Sequence, residues 1–429
     1  MAIRINFKPS LLTFFIALTA MLAFTVVTII PNVFFYMAFL GAILSVILLF
    51  KSWHLVDRKL FIFLGWFLLP SLIGVFSYPV SMILEGNVFN YYQLKIFGRL
   101  ANLTLLFVFI LLLHSYIKTK DLVTPFRWYW LGTGLLMLTA LWQFADVYLN
   151  LLSFPFDTRA HVHSTYGDEY SFSKRLTGIA SEPSYFVMLA IDFIILSALL
   201  SGMKKRFILL PFGILLMLLS VSPSGYIAFF MASALAYFFS KLKYAKFKFS
   251  AKSLFLIFVV IIILATAVFY IMSTPYFEYI YRRITDPRML KSARAYMNYM
   301  PFVWAWDSNS FSFLFGHGIK SYSIIGTAFN VPDGNPVHVT SNNLYVDTFW
   351  EAGLLGLVSI ISFFSFVFYR IFKSKNSKLQ VFIAFFVLFE LMFTSVFRAD
   401  FASFRFFILL YLIFILIQYD LRKIKGFYV

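Results

Sequence analysis

Apolar runs long enough to cross a membrane follow one another along the 429-residue chain, separated by short polar or basic links. A transmembrane helix needs roughly 20 mostly apolar residues to cross the hydrocarbon core of a bilayer. The pattern predicts an all-α polytopic membrane protein with about 12 transmembrane helices in a single bundle, residues 1–429. The predicted spans cover residues 11–30, 33–50, 60–84, 96–116, 128–149, 183–202, 207–221, 225–240, 253–273, 346–370, 380–397 and 403–420.

The seventh and eighth predicted spans are short, and the tetrapeptide Ser222-Pro223-Ser224-Gly225 separates them. Serine, proline and glycine in such a cluster are typical of a tight turn. The two segments are therefore either a helical hairpin or one re-entrant pair.

The basic residues predict the orientation of the bundle. Arg4 and Lys8 precede the first apolar run, which ends without a convincing small-residue cleavage site. We interpret this run as the first span rather than a removed signal peptide. With the N-terminus in the cytoplasm, every inner link is basic, and most of the 36 lysines and arginines lie on this side. This agrees with the positive-inside rule, and an even number of spans places both termini inside.

Two predicted outer links are long, residues 150–182 and residues 274–345. The second is a large loop before the tenth span, and it is predicted to contain short helices. Long loops translocate largely regardless of their charge, but cations kept there need a local reason, and binding of an anionic ligand is one. The cations of this loop are Arg282, Arg283, Arg288, Lys291, Arg294 and Lys320.

Composition excludes several classes of protein. Hydrophobic residues make up 61% of the chain and charged residues 13%, an apolar excess that a bilayer can absorb and a soluble core cannot. The net charge of +18 does not indicate nucleic-acid binding, because the cations lie in short clusters between apolar runs. The absence of cysteine excludes a catalytic thiol or zinc knuckle. No metal-ligand pair occurs in the outer loops and no glycine-rich phosphate loop precedes a helix, so no metal or cofactor is predicted.

The first candidate site is the segment from Lys174 to Ser184 at the outer mouth of the sixth span. Pro183 fits the first turn of a helix and Ser181 can cap it. Glu182 then lies at the positive end of the helix dipole, which favours its ionised form. The alternative is a well-capped helix start with an interfacial arginine, Arg175.

The second candidate site is the cationic part of the large loop. Asp286-Pro287 predicts a helix start, and Arg288, Lys291 and Arg294 follow at spacings that place them roughly on one side of a short helix. Together with Arg282 and Arg283 they would attract a diphosphate, because guanidinium groups match phosphate oxygens in pairs. The alternative is a charged, solvated helix face.

The third candidate site leads into the tenth span. His338 can accept a proton from a sugar hydroxyl, which is the work of a general base. Asn342 and Asn343 can orient hydroxyls or cap the helix. The alternative is a surface histidine beside a capped helix.

Other ionisable residues accompany these segments. Lys95 and Arg99 open the fourth span, and Arg398, Asp400 and Arg405 surround the link before the last span. Two carboxylates, Asp192 and Glu390, lie inside apolar segments, where charge is costly and often functional. They are either part of a proton or ion relay or structural, hydrogen-bonded carboxylates.

Three pairs of sequence features occur in a recognisable order. Arg175-Leu176-Thr177-Gly178 is followed by Glu182-Pro183-Ser184, Arg294 precedes Gly316-His317-Gly318, and Asn343 precedes Glu351-Ala352-Gly353-Leu354-Leu355-Gly356. In this order and on one side of the membrane they resemble motifs of the bacterial O-antigen polymerase and ligase superfamily, the Wzy-type polymerases and WaaL-type ligases. One departure is Asn342, where the ligases commonly have histidine; the nearest histidine is His338. The segment Glu182-Pro183-Ser184 resembles the form of this motif that occurs in the polymerases.

The resemblance implies ten to fourteen spans, a long periplasmic loop and a location in the bacterial inner membrane. It implies an enzyme, a glycosyltransferase for surface polysaccharide, whose active site faces the periplasm. A glycan chain on undecaprenyl diphosphate would be transferred to a new lipid-linked repeat unit without a metal. Membrane lipids and a chain-length regulator protein are the other implied partners.

The resemblance also implies roles for residues. The catalytic candidates are His338, Glu182 and Arg175, with His338 or Glu182 as the base. The substrate-binding candidates are Arg282, Arg283, Arg288, Arg294, Lys95, Arg99, Asn342, Asn343 and Arg398. The alternatives are an O-antigen ligase acting on lipid A-core and a flippase or transporter of lipid-linked oligosaccharides, although no internal repeat typical of transporters occurs.

Overall fold

The computed structural model describes the structure of residues 9–22, 24, 43, 46–50, 53–85, 93–117, 121–156, 158, 175–244, 293–322 and 341–428. Within these ranges the secondary structure is helical and contains no strand. The helices, numbered along the chain, are α1 Pro9–Leu22, α2 Arg58–Glu85, α3 Gln93–Tyr116, α4 Thr124–Leu149, α5 Pro183–Leu200, α6 Met203–Leu219, α7 Pro223–Tyr244, α8 Ala293–Ser308, α9 Ser310–Phe315, α10 Leu344–Lys373, α11 Lys378–Phe397 and α12 Phe404–Gln418. Short 3-10 turns lie at Trp53–Leu55 and Leu421–Lys423.

Six of the described helices are long and apolar enough to cross a membrane: α2, α3, α5, α7, α10 and α11. The outer surfaces of the helices expose large apolar side chains, such as Phe76 at 79% and Phe207 at 75% of their full area. Such surfaces suit contact with lipid and would be unfavourable in water. The prediction of a helical membrane protein is therefore confirmed at this level. The number of about 12 spans stays a prediction, and spans 33–50 and 253–273 lie largely or wholly outside the described residues.

The core of the bundle lies around α12 and α5. Every side chain of α12 from Arg405 to Leu416 is buried, and α5 is buried along most of its length. Both helices are almost uniformly apolar, which is typical of helices surrounded by other helices. Aromatic contacts fill the space around α12, for example between Phe67 and Phe406, whose ring centroids are 5.1 Å apart.

The helices share two common ends, which we call the motif end and the basic end. At the motif end, the N–H of Leu176 donates to the carbonyl of Leu219, and Asn102 donates to the carbonyl of Ala402. At the basic end, the Lys243 ammonium donates to the Ser374 hydroxyl at 2.9 Å. The motif end holds residues 175–184, 316–320, 341–353 and 398–405. The basic end holds Arg58, Lys59, Arg127, Lys204, Lys205, Arg206, Lys241, Lys243, Arg370, Lys373, Lys375, Lys378, Arg422, Lys423 and Lys425.

The orientation prediction requires that the motifs and the basic links lie at opposite ends of the bundle, and they do. The placement of the basic end in the cytoplasm stays a prediction.

The helices α6 and α7 run in opposite directions along the bundle. The N-terminal turn of α6 lies at the basic end, where Arg206 donates to the carbonyl of Tyr428, and α6 ends at Leu219 at the motif end. The first turn of α7 returns from there, with Gly225 in close contact with Val187 of α5. This geometry favours the helical hairpin over the re-entrant pair. The predicted turn is shorter than expected, because Pro223 already begins α7.

Candidate functional site

The segment Arg175–Glu182 is held against α4 by a buried amide side chain. The Gln143 Oε1 atom accepts hydrogen bonds from the N–H groups of Thr177 at 2.7 Å and Gly178 at 2.8 Å. Gly178 has a φ of +52°, and a Cβ atom there would lie 2.6 Å from the Thr139 hydroxyl oxygen. The glycine of this motif is therefore required by a left-handed turn and a close approach to α4.

Arg175 joins this segment to the end of α6. Its guanidinium donates to the carbonyl of Ser220 at 3.3 Å and to the carbonyl of Val221 at 2.7 Å. Carbonyls at the C-terminal end of a helix lack partners within the helix and carry partial negative charge, so a cation stabilises them. Arg175 is half-buried at the motif end, and its catalytic role stays a prediction.

The start of α5 differs from the prediction in its cap. Pro183 lies in the first turn, as predicted, but the N-cap residue is Glu182 and no side chain caps the helix, so the prediction of Ser181 as the cap is wrong. The N–H of Ser181 instead donates to the carbonyl of Phe24 at 2.8 Å. This tertiary contact aligns the segment with the end of α1, and the Glu182 side chain is directed elsewhere.

The Glu182 carboxylate forms an ion pair with Arg398, which precedes α12. The Ser184 hydroxyl also donates to this carboxylate, at 3.3 Å. The Arg398 guanidinium lies 4.2 Å from the centroid of the Tyr185 ring, so a cation–π contact adds to the ion pair. Two predicted site residues that are 216 positions apart are thus brought together.

The start of α10 is capped by the predicted asparagine. Asn343 is the N-cap residue, and its side-chain oxygen accepts from the N–H groups of Tyr345 at 3.0 Å and Val346 at 3.4 Å. The Asp347 carboxylate accepts from the N–H and the hydroxyl of Ser341. The capping alternative is therefore correct for Asn343. Asn342 beside it is half-buried and has a φ of +58°.

A break divides α10 shortly after its start. Gly353 has a φ of +65° and a ψ of −164°, which interrupts the helix. The loop after α9 binds the carbonyls next to this break: the N–H of His317 donates to Trp350 at 2.9 Å, and the N–H of Gly318 donates to Glu351 at 3.0 Å. A Cβ atom on Gly316 would lie 2.4 Å from the N atom of Ala352. The motifs Gly316-His317-Gly318 and Glu351–Gly353 are therefore two halves of one junction.

The junction also includes α2. The N–H of Ile319 donates to the carbonyl of Gly74 at 2.9 Å, and the Ser81 hydroxyl donates to the carbonyl of Gly316. The His317 ring stacks on Trp350, with centroids 4.1 Å apart. The loop thus fixes α10 against α2 through its backbone, which explains its small residues.

Glu351 is a functional candidate that sequence analysis does not select. In the sequence it stands out only as part of a glycine-containing motif, although a carboxylate eight positions into an apolar span is itself a signal. The N–H of Lys320 hydrogen-bonds its carboxyl group, and the charges of Arg99 and Lys320 act on it. The side chain faces a partly open cleft lined by Phe67, Pro70, Ser71, Leu344, Thr348, Glu351, Ala352, Ile360 and Phe401.

Arg99 extends the charged surroundings of this cleft. Its guanidinium lies 4.7 Å from the centroid of Phe401, a residue of the cleft wall. The Nη1 atom is buried and has no hydrogen-bond partner among the described residues. A donor of this kind is available to an oxygen of a bound ligand.

The other predicted site residues are placed only in part. Arg282, Arg283, Arg288, Lys291 and His338 lie outside the described residues, as does the predicted helix start at Asp286-Pro287. For Lys95 in α3 and Arg294 in α8, the described feature is the helical backbone.

Deeper in the bundle, one buried arginine binds three carboxylates. Arg405 donates to Asp192, Glu390 and Asp400, which lie on α5, on α11 and in the link before α12. The Tyr129 hydroxyl donates to Asp192 at 2.7 Å. Burial raises the pKa of Asp400, against the opposing effect of the Arg405 charge. Asp192 and Glu390 are thus hydrogen-bonded carboxylates, and sequence analysis misses that Arg405 is their common partner.

Comparison with known proteins gives no relative. No family model, no curated protein and no solved structure matches the chain. Within the described ranges, no cluster of three or more His, Cys, Asp or Glu side chains is arranged to hold a metal ion.

Proposed function

We propose that this protein is a bacterial O-antigen polymerase, a glycosyltransferase that extends surface polysaccharide. The substrate class is a glycan chain on undecaprenyl diphosphate, and the acceptor is a new lipid-linked repeat unit. The observation that carries the proposal is the convergence of separate motifs at one end of the bundle, opposite the basic links. Arg175, Glu182 with Arg398, and Glu351 beside Gly316-His317-Gly318 all lie at this motif end.

A reaction at the motif end suits the chemistry of this donor. The diphosphate of a lipid-linked glycan lies at the boundary between membrane and water, and negative charge grows on it as the glycan leaves. Fixed cations stabilise such charge in the transition state. Arg175 and Arg99 at the motif end would serve this purpose with Lys95 and with Arg282, Arg283, Arg288 and Arg294 of the large loop.

The acceptor side of the reaction needs a hydroxyl group and a proton acceptor. His338 and Glu182 are the proposed bases from the sequence, and Asn342 would orient hydroxyl groups. The Glu182 carboxylate already binds Arg398 and Ser184. Its proposed role is therefore to hold the Arg398 side chain in position at the site. Asn343 would act by fixing the start of α10.

The proposed location is the bacterial inner membrane, with the motif end facing the periplasm. Six apolar helices support the membrane location. The proposal includes no metal and no cofactor. A chain-length regulator protein is a proposed partner in addition to the two lipid-linked substrates and the surrounding lipids.

The test is deletion of the gene followed by gel analysis of lipopolysaccharide. Core carrying a single repeat unit supports the polymerase. Core alone, with lipid-linked polymer accumulating, instead identifies a ligase, and repeat units retained on the cytoplasmic side identify a flippase. An unchanged ladder of long chains rejects all three functions.

A further inference from the structure

The cleft beside α10 combines apolar walls with a single ionisable group. Phe67 and Phe401 form aromatic walls, while Ser71 and Thr348 contribute hydroxyl groups. Among the described residues that line the cleft, Glu351 is the ionisable one. Both rings are almost fully buried, and the cleft has room for a group about the size of a water molecule. Carboxylates and hydroxyls bind hydroxyl groups, so the lining suits a single hydroxyl group of a substrate.

The position of Glu351 is set by backbone atoms on two sides. Its carbonyl accepts from the N–H of Gly318, and its carboxyl group accepts from the N–H of Lys320. Lys320 has a φ of +65°, in the turn that follows the glycine loop. A carboxylate held by a backbone N–H keeps one orientation, which is what a reacting group needs.

The two glutamates of the motif end differ in their surroundings. Glu182 is paired with Arg398 and accepts from Ser184, so a substrate hydroxyl would have to displace a cation to reach it. Glu351 lines the cleft itself and has its cations, Arg99 and Lys320, at its periphery. Glu351 is therefore better placed than Glu182 to meet an acceptor.

We infer that Glu351 is the general base of the transfer, binding the acceptor sugar hydroxyl within the cleft formed by α2, α10 and Phe401. This inference rests on the proposed function. It differs from the roles expected from the motifs, which assign the base to His338 or Glu182.

Atoms and charge balance in the transfer step. The acceptor oxygen forms a bond to the anomeric carbon of the donor glycan as its O–H proton passes to the Glu351 carboxylate. The bond between the anomeric carbon and the diphosphate oxygen breaks, and undecaprenyl diphosphate leaves with the bonding electron pair. Glu351 later releases the proton to water. Arg99, whose Nη1 atom lacks a partner within the described structure, donates to an oxygen of the leaving diphosphate.

The charged groups around Glu351 define the expected pH dependence. They are Arg99 from α3, Lys320 from the loop after α9, and Asp347 from the same helix. A base acts only in its ionised form, so the transfer rate falls when the medium is acidified.

The experiment uses the full-length protein in lipid nanodiscs, with lipid-linked repeat units isolated from the deletion strain. Chain extension is measured as a function of acceptor concentration and pH. Glu351→Gln is expected to reduce kcat by about 100-fold or more, the usual contribution of a general base. The apparent KM for the acceptor should change little, and the fall in rate at low pH should disappear. Glu351→Asp should retain part of the activity and the acid limb.

Two controls separate this role from a structural one. In the Glu351→Gln variant the amide oxygen still accepts from the N–H of Lys320, so the thermal unfolding midpoint should stay close to that of the wild type. Glu182→Gln should keep the acid limb of the pH profile. Retention of wild-type kcat by Glu351→Gln, or an unchanged acid limb in that variant, overturns the inference and leaves the polymerase intact. Absence of chain extension by the wild-type protein rejects the proposed function and this inference with it.

Discussion

Arg405 and Asp192 are 213 positions apart in the sequence and are joined by two hydrogen bonds, Nε to Oδ2 at 2.9 Å and Nη2 to Oδ1 at 3.0 Å. Both side chains are fully buried. A fork of two parallel hydrogen bonds is the strongest common arrangement between arginine and a carboxylate. Glu390 and Asp400 each contribute one further contact to the same guanidinium, so Asp192 is the principal partner of Arg405.

Asp192→Asn is expected to lower the free energy of unfolding by about 3 kcal/mol, because an amide nitrogen would then face an arginine donor in a buried ion pair. Glu390→Gln is the matched control. It keeps an oxygen for Arg405 and leaves the Asp192 and Asp400 contacts in place, so a change within about 1 kcal/mol is expected. Unfolding by denaturing detergent in mixed micelles measures both values. Equal losses in the two variants would contradict the assignment of Asp192 as the principal partner.

The pair Glu182–Arg398 is expected to act as one unit. Glu182→Gln and Arg398→Ala should each reduce chain extension, and the double variant should be no worse than Arg398→Ala alone, because residues of one contact show non-additive effects. The measurement is a double-mutant cycle on the rate of chain extension in nanodiscs. Strictly additive effects would show that the two residues act separately.

Arg175→Ala is expected to abolish long polysaccharide chains while the protein remains in the membrane. The variant loses the hydrogen bonds to Ser220 and Val221, which displaces the segment before α5, and it removes a cation from the proposed diphosphate site. Arg175→Lys keeps the charge but loses the planar fork, so an intermediate chain length is expected. Lipopolysaccharide gels and immunoblots of the membrane fraction report the two properties. A full ladder from Arg175→Ala would remove Arg175 from the site.

Gly353→Ala is expected to destabilise the junction by about 3 kcal/mol or more, because an added Cβ combines backbone strain with a clash. That Cβ would lie 2.3 Å from the Leu314 carbonyl carbon. Gly65→Ala in α2 is the control, since no atom lies within 4 Å of its added Cβ, and alanine stabilises a helix interior by roughly 0.5–1 kcal/mol. Thermal unfolding followed by tryptophan fluorescence compares the two. Similar midpoints would show that the break at Gly353 carries no structural cost.

The sequence predicts the positions of the helices well, but it does not predict which helices and side chains contact one another. Apolar length locates α2, α3, α5, α10 and α11 to within a few residues, because the bilayer imposes the same requirement on every span. The apolar length of a span contains no information on which other spans it contacts. The contacts of Arg405 with Asp192 and Glu390 are therefore not predicted, although each of the three residues stands out by its charge.

Local rules of capping give a mixed result at the motif end. They are correct for Asn343, whose side chain caps the first N–H groups of α10. They fail for Ser181, because its N–H is bound by the carbonyl of Phe24 from a distant part of the chain. Sequence analysis does not single out Glu351, because the glycines dominate its motif and the cleft that gives the carboxylate its importance exists only after α2 and α10 pack.

The junction at Gly316-His317-Gly318 has a consequence for biosynthesis. The backbone donors of this loop find acceptors on Trp350 and Glu351, and Asp192 finds its counter-charge at Arg405. A ribosome must therefore complete the last quarter of the chain before the earlier segments can close around the site. A chain that ends after α7 would leave Asp192 in an apolar segment without its counter-charge, which is costly in a membrane.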